Sequence, residues 1–307
     1  MRKAFLLGAG LGTRLRPLTE TLPKPLIPVF HRPLITYALD QCLAAGITDF
    51  AINTHYLPKA WPTYFPDGHY RGASLSFFHE AELLETGGGI KNIADWIGSD
   101  PVLVYNGDIL TDCRLQKLLE AHQASKNVAT LGIRSTGEAL HIALDGAQVI
   151  DIRNLLGVSP GTHQFTGIYC LDPEILALIP AQKKTSVIPA FLELARQGTL
   201  GSALLDDGHW LDLGTRDSYL EAHGLGPTGT RPPLLASQTE IHPEAEIHPS
   251  ATISHSVIGP GCQVGAQARV ENSLLWPKTT VSPGAQLTNC IVHSSTPAHG
   301  THQNADL

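Results

Sequence analysis

The sequence predicts an α/β domain with a mixed, mainly parallel sheet, followed by a short left-handed parallel β-helix. Three observations carry this prediction. Short apolar runs alternate with helical patterns through residue 205, a Pro- and Gly-rich stretch interrupts them at 224–237, and aliphatic residues then recur in steps of six. Alternation at this spacing places helices over a parallel sheet, and six-residue steps in threes wind three-sided coils.

Residues 3–8 read as a first strand, followed by a long loop rich in Gly and Pro. Residues 34–45 carry apolar side chains at helical spacing, closed by Gly46. Residues 48–54 read as a second strand. A strand near 74–79, a helix near 89–97 and a strand at 101–106 follow. Next come a helix near 114–124, capped by Asp112, and a strand near 127–133. Residues 140–171 look richer in β structure, as in an antiparallel insertion. A helix near 187–197, a strand near 200–205 and the segment from His209 to Thr215 complete a first domain, residues 1–223. Residues 224–237 hold Gly224, Gly226, Gly229, Pro227, Pro232 and Pro233, a linker composition that cannot sustain regular structure.

The repeat lies beyond this linker, at 238–293. Ile241, Ile247 and Ile253 form one triplet, Ile258, Val264 and Val270 the next, and Leu275, Val281 and Leu287 a third, with Val292 opening a possible fourth coil. Pro243, Pro249, Gly259, Pro260, Gly261 and Gly265 suit corners and exclude an amphipathic helix. His242 and His248 each precede a corner proline and, with His255, read as corner polar residues. Residues 294–307 are polar and read as a disordered tail.

Composition narrows the functional classes. With 307 residues, 42% of them apolar, the chain can bury a sizeable core. A formal charge of −7 and the lack of any long Lys/Arg run exclude a nucleic-acid surface, which needs clustered positive charge. Cations gather instead at the N-terminus, where Arg2, Lys3, Arg14, Arg16, Lys24 and Arg32 face the single acid Glu20. The five cysteines are scattered and form no C-x-x-C pair, which fits a reducing cytoplasm rather than a disulfide framework. The run Ala4-Phe5-Leu6-Leu7 is too short for a signal peptide, and no stretch is long enough to span a membrane.

The most informative segment is Gly8-Ala9-Gly10-Leu11-Gly12-Thr13-Arg14-Leu15-Arg16-Pro17, with Pro23-Lys24-Pro25-Leu26 downstream. Alternate glycines after a strand let the backbone approach a ligand and aim N–H groups at anionic oxygens. A Walker A loop would need Lys-Ser or Lys-Thr where Thr13-Arg14 stands. A dinucleotide fingerprint would need G-x-G-x-x-G opening into a helix, which Pro17, Pro23 and Pro25 forbid.

These residues resemble the signature of the sugar-1-phosphate nucleotidyltransferase family, G-x-G-T-R-L-x-P-L-T with a later P-K-P-L. Glu85-Thr86-Gly87-Gly88-Gly89-Ile90, Asn106-Gly107-Asp108 and Trp210-Leu211-Asp212-Leu213-Gly214-Thr215 extend the resemblance in order through residue 223. It implies a Rossmann-like, glycosyltransferase-A-like domain, often followed by a left-handed β-helix. It also implies transfer of a nucleoside monophosphate from an NTP to a sugar 1-phosphate with Mg²⁺ as cofactor. By the same resemblance, Leu7, Gly8, Ala9, Gly10, Gly12 and Thr13, with Glu85 and the Gly87–Gly89 turn (Gly87 and Gly88 above all), hold the nucleotide. Arg14 and Lys24 neutralise phosphates, and Asp108 and Asp212 hold the metal. Asn106 and Gly167 belong to the sugar-phosphate side. Arg16 reads as a rim residue.

One departure concerns the Glu-Lys-Pro segment that many relatives carry. Its place is taken by Ile150-Asp151-Ile152-Arg153-Asn154, so Arg153, or else Lys183 or Lys184, stands in for the missing lysine. The Leu84–Ile90 stretch resembles the N-acetylmuramate 1-phosphate uridylyltransferase branch, whereas a β-helix tail is common in mannose-1-phosphate guanylyltransferases. A non-catalytic homologue that senses nucleotide sugars is the alternative. The β-helix suggests a homo-oligomer, since three coils are short for acyl transfer.

Overall fold

The computed structural model describes residues 1–227 and 229–307; Thr228, inside the expected linker, lies outside the described residues. The chain divides into two units, one of residues 1–11, 23–25 and 35–210, the other of residues 12–22, 26–34 and 211–307. The N-terminal loop is therefore divided between them.

Ten strands build the sheet of the first unit: β1 (Lys3–Leu7), β2 (Asp49–Thr54), β3 (His69–Tyr70), β4 (Ala73–His79), β5 (Val102–Asn106), β6 (Ala129–Arg134), β7 (Leu140–Asp145), β8 (Gln148–Ile152), β9 (His163–Leu171) and β10 (Leu200–Leu204). Their order is β7-β8-β10-β6-β9-β5-β1-β2-β4-β3. The run β5-β1-β2-β4 is parallel, as is the pair β10-β6, and β9 lies antiparallel between them. The sheet is thus mixed, with the expected antiparallel insertion at 140–171. Central strands read as unbroken apolar runs because both faces are covered; Ala4, Phe5, Leu6, Phe50, Ala51, Ile52 and Leu103 are fully buried.

The helices follow their apolar periodicity. Helix α1 (Ile35–Ala44) buries Ile35, Ala38, Leu39 and Cys42, a one-sided stripe at i, i+3, i+4 and i+7. Gly46 ends the segment at φ 84°, a left-handed conformation that favours glycine.

Helix α2 (Glu85–Asn92) begins four residues earlier than the helix expected near 89, so Gly87–Gly89 lie in a helix and not in a turn. Each helical glycine costs about 1 kcal/mol relative to alanine. Close packing explains them: a methyl on Gly87 would lie 2.8 Å from the Ser186 carbonyl oxygen, and one on Gly88 2.7 Å from that of Lys183. Helices α3 (Leu115–Gln123) and α4 (Ile188–Arg196) complete this set. Asp112 is not the cap of α3, where Arg114 stands at the N-cap; its Oδ1 accepts the His209 N–H at 2.6 Å and pins that loop.

In the second unit, helix α5 (Arg216–Ala222) starts from a capping box in which Thr215 accepts the Ser218 N–H. The 17-residue repeat winds a left-handed β-helix whose strands stack in parallel, pairing Ile247 with Val264, Ile253 with Val270 and Ile258 with Leu275. Val264, Val270, Leu275, Val281, Leu287 and Val292 are buried in its interior. His255, Asn272, Asn289 and Asn304 share one corner and all take positive φ, where short polar side chains are tolerated. His242 and His248 accept the N–H groups of Glu244 and Ser250 through Nδ1, as corner residues do.

Residues 294–307 are not a disordered tail. Thr301–Gln303 pairs with Gln286–Thr288, and Ala298 and Asp306 bridge to Val281 and Ile291. Ala298, Ala305 and Leu307 pack on the β-helix core, extending it by a coil. The step from Leu287 to His302 is 15 residues, not 17, which hid this coil from the periodicity. Among the described residues no helix is long and apolar enough to cross a membrane.

Candidate active site

The parallel register sets Leu7 opposite Asn53 on one side and Asn106 on the other, at the carboxyl ends of three adjacent strands. Ligands of open α/β sheets bind outside this edge. A cleft of about 400 Å³ opens there, lined by Leu7, Ala9, Gly10, Asn53, Leu83, Glu85, Thr86, Ser186, Lys24, Pro25, Asn106, Gly107 and Asp108. Residues from Asn53 to Ser186, 46 to 179 positions beyond Leu7, thus meet the first loop around one space, an arrangement no local motif encodes.

The glycines here answer to packing. A methyl on Gly8 would lie 2.7 Å from the Asn53 carbonyl oxygen and 2.9 Å from the Trp61 ring. The Gly8 N–H donates to Asn53 Oδ1 at 2.7 Å, so it is engaged within the protein and not directed at a phosphate. Gly107 donates its N–H to Leu7 O at 3.1 Å, and any side chain there would overlap the same oxygen. Gly167 takes φ 77° inside a register shift of β9, and a methyl there would lie 2.6 Å from Asn106 Nδ2. Asn106 and Gly167 are therefore neighbours.

The charged pair in the cleft is Lys24 and Asp108. Lys24 Nζ donates to Asp108 Oδ2 at 2.7 Å, with the lysine side chain 9% exposed and the aspartate 30%. At the other side, Glu85 opens α2 with φ 62°, a conformation costly for a residue with a side chain. Lys184 reaches Glu85 at 3.6 Å, both side chains largely in solvent. The segment before α4 braces α2: Gly88 N–H donates to Thr185 O at 3.0 Å, and Val187 N–H to Thr86 Oγ1 at 3.0 Å.

Gly12, Thr13, Arg14 and Asp212 belong to the second unit, with Asp108 and Lys24 in the first, and each set has its own partners. Gly12 adopts φ 61°, and its carbonyl accepts Thr19 Oγ1–H at 2.8 Å and Leu15 N–H at 3.0 Å. Thr13–Leu15 forms one 3₁₀ turn that buries Leu15 and leaves the Arg14 side chain 65% exposed. Arg14 Nη2 lies 3.9 Å from Asp212 Oδ2, and a methyl on Gly214 would come 2.6 Å from the guanidinium. Gly214 thus leaves the space the arginine occupies. Arg153 takes φ 57° and donates its N–H to His141 O at 2.7 Å; it does not line the cleft.

Two residues escaped the sequence reading. Glu80, 2% exposed, accepts Asn53 Nδ2–H at 2.7 Å through Oε1 and Leu84 N–H at 2.9 Å through Oε2. The signal available was a polar residue closing an apolar strand, at Asn53 and again just after His79.

An oxygen-only donor such as Asp108 suits a hard divalent cation that takes one or two carboxylates and completes its shell with phosphate oxygens and water. Among the described residues no group of three or more His, Cys, Asp or Glu side chains forms a closed metal cage.

Comparison with known proteins gives the same reading for both halves. Residues 3–225 match the nucleotidyl transferase family, and residues 235–299 match the GMPPB C-terminal domain. The chain is 31% identical over 311 residues to a mannose-1-phosphate guanyltransferase of Candida albicans, covering 94% of this chain and 85% of that one. It is 29% identical over 297 residues to the mannose-1-phosphate guanylyltransferase of Mycobacterium tuberculosis, covering 92% and 81%. A UDP-glucose pyrophosphorylase structure from Acinetobacter baumannii shares the fold, with a TM-score of 0.63 at 19% identity over 74% of this chain and 95% of that one. The chain belongs to the nucleotidyl transferase family, as an enzyme that transfers a nucleotidyl group from a nucleoside triphosphate to a sugar 1-phosphate.

Proposed function

We propose that the enzyme uses GTP and mannose 1-phosphate, with Mg²⁺, and releases pyrophosphate. The observation that carries this choice is the likeness to mannose-1-phosphate guanylyltransferases through both halves of the chain, β-helix included. In this reading the cleft takes the nucleotide, with Gly10, Glu85 and the first turn of α2 on the nucleoside side. Lys24 meets the phosphates, and Asn106 with Gly167 faces the sugar phosphate. Arg14, beside Asp212 at 3.9 Å, is the second candidate phosphate cation. Asp108 is the carboxylate assigned to Mg²⁺, and Asp212 is the second candidate. A bound Mg²⁺ would neutralise the triphosphate and stabilise charge developing on the α-phosphate.

The protein's own contribution is positional. Two polyanions repel each other until cations screen them, and in-line attack of the sugar-phosphate oxygen on the α-phosphorus needs alignment more than covalent chemistry. Lys24 is held by Asp108 in an orientation that needs little reordering when phosphate arrives. Arg153, away from the cleft, is a weaker candidate for the missing lysine than Lys184, which ends on the rim at Glu85. Oligomerisation through the β-helix is supported by its first coil, where Ile241 remains 43% exposed. Five free, buried cysteines support a reducing cytoplasm.

Uridylyl transfer to N-acetylmuramate 1-phosphate is the second reading, favoured by the Leu84–Ile90 segment. Pyrophosphate release across a grid of NTPs and sugar 1-phosphates, with Mg²⁺ and with EDTA, separates the two. GTP with mannose 1-phosphate should dominate, and EDTA should abolish the signal. Preference for UTP with the muramate sugar would reverse the assignment.

A further inference from the structure

A buried hydrogen-bond chain crosses the floor of the cleft. Gly8 N–H donates to Asn53 Oδ1 at 2.7 Å, Asn53 Nδ2–H donates to Glu80 Oε1 at 2.7 Å, and Leu84 N–H donates to Glu80 Oε2 at 2.9 Å. It starts at the end of β1, passes the ends of β2 and β4, and stops at the residue before α2. Each end therefore fixes one of the two glycine-rich segments that border the cleft. Gly89 lies on this chain, because a methyl there would sit 3.0 Å from both Asn53 Nδ2 and Glu80 Oε1.

The direction of every bond is forced. A backbone N–H at each end can only donate, so Asn53 must present oxygen to Gly8 and its amide nitrogen to Glu80. Glu80 must then accept through both oxygens, which a carboxylate does and an amide cannot. With Glu80 and Asn53 both buried, a mismatched pair of donors or acceptors has no water to turn to.

We propose that Glu80 and Asn53 are positioning residues that couple the Gly8–Gly10 loop to the start of α2, setting the shape of the nucleotide half of the cleft. This rests on the reading of the cleft as the nucleotide site. Neither residue needs to touch substrate. The coupling acts through the backbone at Gly8 and Leu84, with Ala9, Gly10, Glu85 and Thr86 carried along.

The test uses exchange of the amide and the carboxylate. Glu80→Gln leaves one amide nitrogen facing a donor, and Asn53→Asp sets two carboxylates face to face. Glu80→Gln combined with Asn53→Asp restores all three bonds: the new carboxylate accepts from Gly8 N–H and from the new amide, whose oxygen accepts from Leu84 N–H. Shape and net charge stay those of wild type. Kinetics on the full chain should show each single change raising KM for the NTP about tenfold or more, the cost of one unmade buried bond, with KM for the sugar 1-phosphate within about twofold. The double variant should return to within about threefold of wild type.

Single variants with wild-type KM values overturn the proposal. So does a double variant no better than the worse single, which would mean that the Glu80 charge itself contacts ligand. If the single variants do not fold, the double variant still decides: it must fold and bind NTP by calorimetry as wild type does. Failure of the wild type to bind any NTP would instead refute the reading of the site, a result the wild-type titration shows separately.

Discussion

Lys24→Met is the sharpest test of the charge arrangement in the cleft. The substitution keeps the apolar stem and removes the ammonium that lies 2.7 Å from Asp108 Oδ2. Breaking a fully buried ion pair costs about 3–5 kcal/mol, because the remaining charge is stranded. Asp108 is 30% exposed and can recover water, so a smaller loss of about 1–2 kcal/mol is expected. For a chain of this size that is a fall in melting temperature of about 2–8 °C. Turnover should suffer more. A preorganised cation at the reacting phosphates contributes about 10²–10³ in rate, and water cannot replace it in a narrow cleft. Pyrophosphate release gives the rate and chemical denaturation the stability. A variant that loses stability yet keeps kcat/KM within about fivefold of wild type would show Lys24 to be a structural partner of Asp108 and nothing more.

Other consequences are testable in the same preparations. His223 is buried, donates from Nδ1 to Tyr219 O at 2.8 Å and accepts Phe30 N–H at Nε2 at 2.9 Å; burial pushes its pKa down to about 4. The unfolded chain protonates near 6.5, so this stabilisation is complete above that pH and is lost as pH falls toward 4, by about 2 kcal/mol at pH 5. Melting temperature should drop between pH 7 and pH 5, and His223→Gln should flatten that slope; an equal slope in both proteins contradicts the assignment. Deleting residues 294–307 strips Ala298, Ala305 and Leu307 from the β-helix core and re-exposes its last coil. At about 1 kcal/mol or more for each half-exposed aliphatic side chain, the truncated protein should unfold several degrees lower. An unchanged melt would mean that these residues add no stability. Gly8→Ala drives a methyl against Asn53 O and the Trp61 ring, and NTP affinity should fall about tenfold, measured by calorimetry; wild-type affinity would show that the loop shifts freely.

The main lines of this fold were legible because they rest on local physics. Hydrophobic period distinguishes a buried strand such as Lys3–Leu7 from a one-sided helix such as Ile35–Ala44, and a six-residue step has few other solutions than a three-sided coil. The candidate residues with charge, Arg14, Lys24, Asp108 and Asp212, were also visible, since their motifs keep charge beside glycine and proline. Where the sequence misled, the cause was non-local. The resemblance implies a turn at Gly87–Gly89, yet they are helical, with Gly87 and Gly88 packed against the 183–186 backbone and Gly89 against Asn53 and Glu80. Residues 294–307 read as a tail from their polarity, yet three small or apolar side chains at altered spacing suffice to close another coil.

Sequence alone determined most of the strands, helices and coils, and singled out the glycine-rich N-terminal loop as the candidate site, because period, turn chemistry and charge are properties of neighbouring residues. Tertiary structure alone decided that Lys24 would face Asp108, that Gly8 N–H would be engaged by Asn53, and that Glu80 would tie the two glycine-rich segments together. Apart from the short reach from Leu84 to Glu80, those contacts join residues 27 to 84 positions apart. They exist only once strand register has brought the carboxyl ends of β1, β2, β4 and β5 side by side, and no local pattern encodes that register.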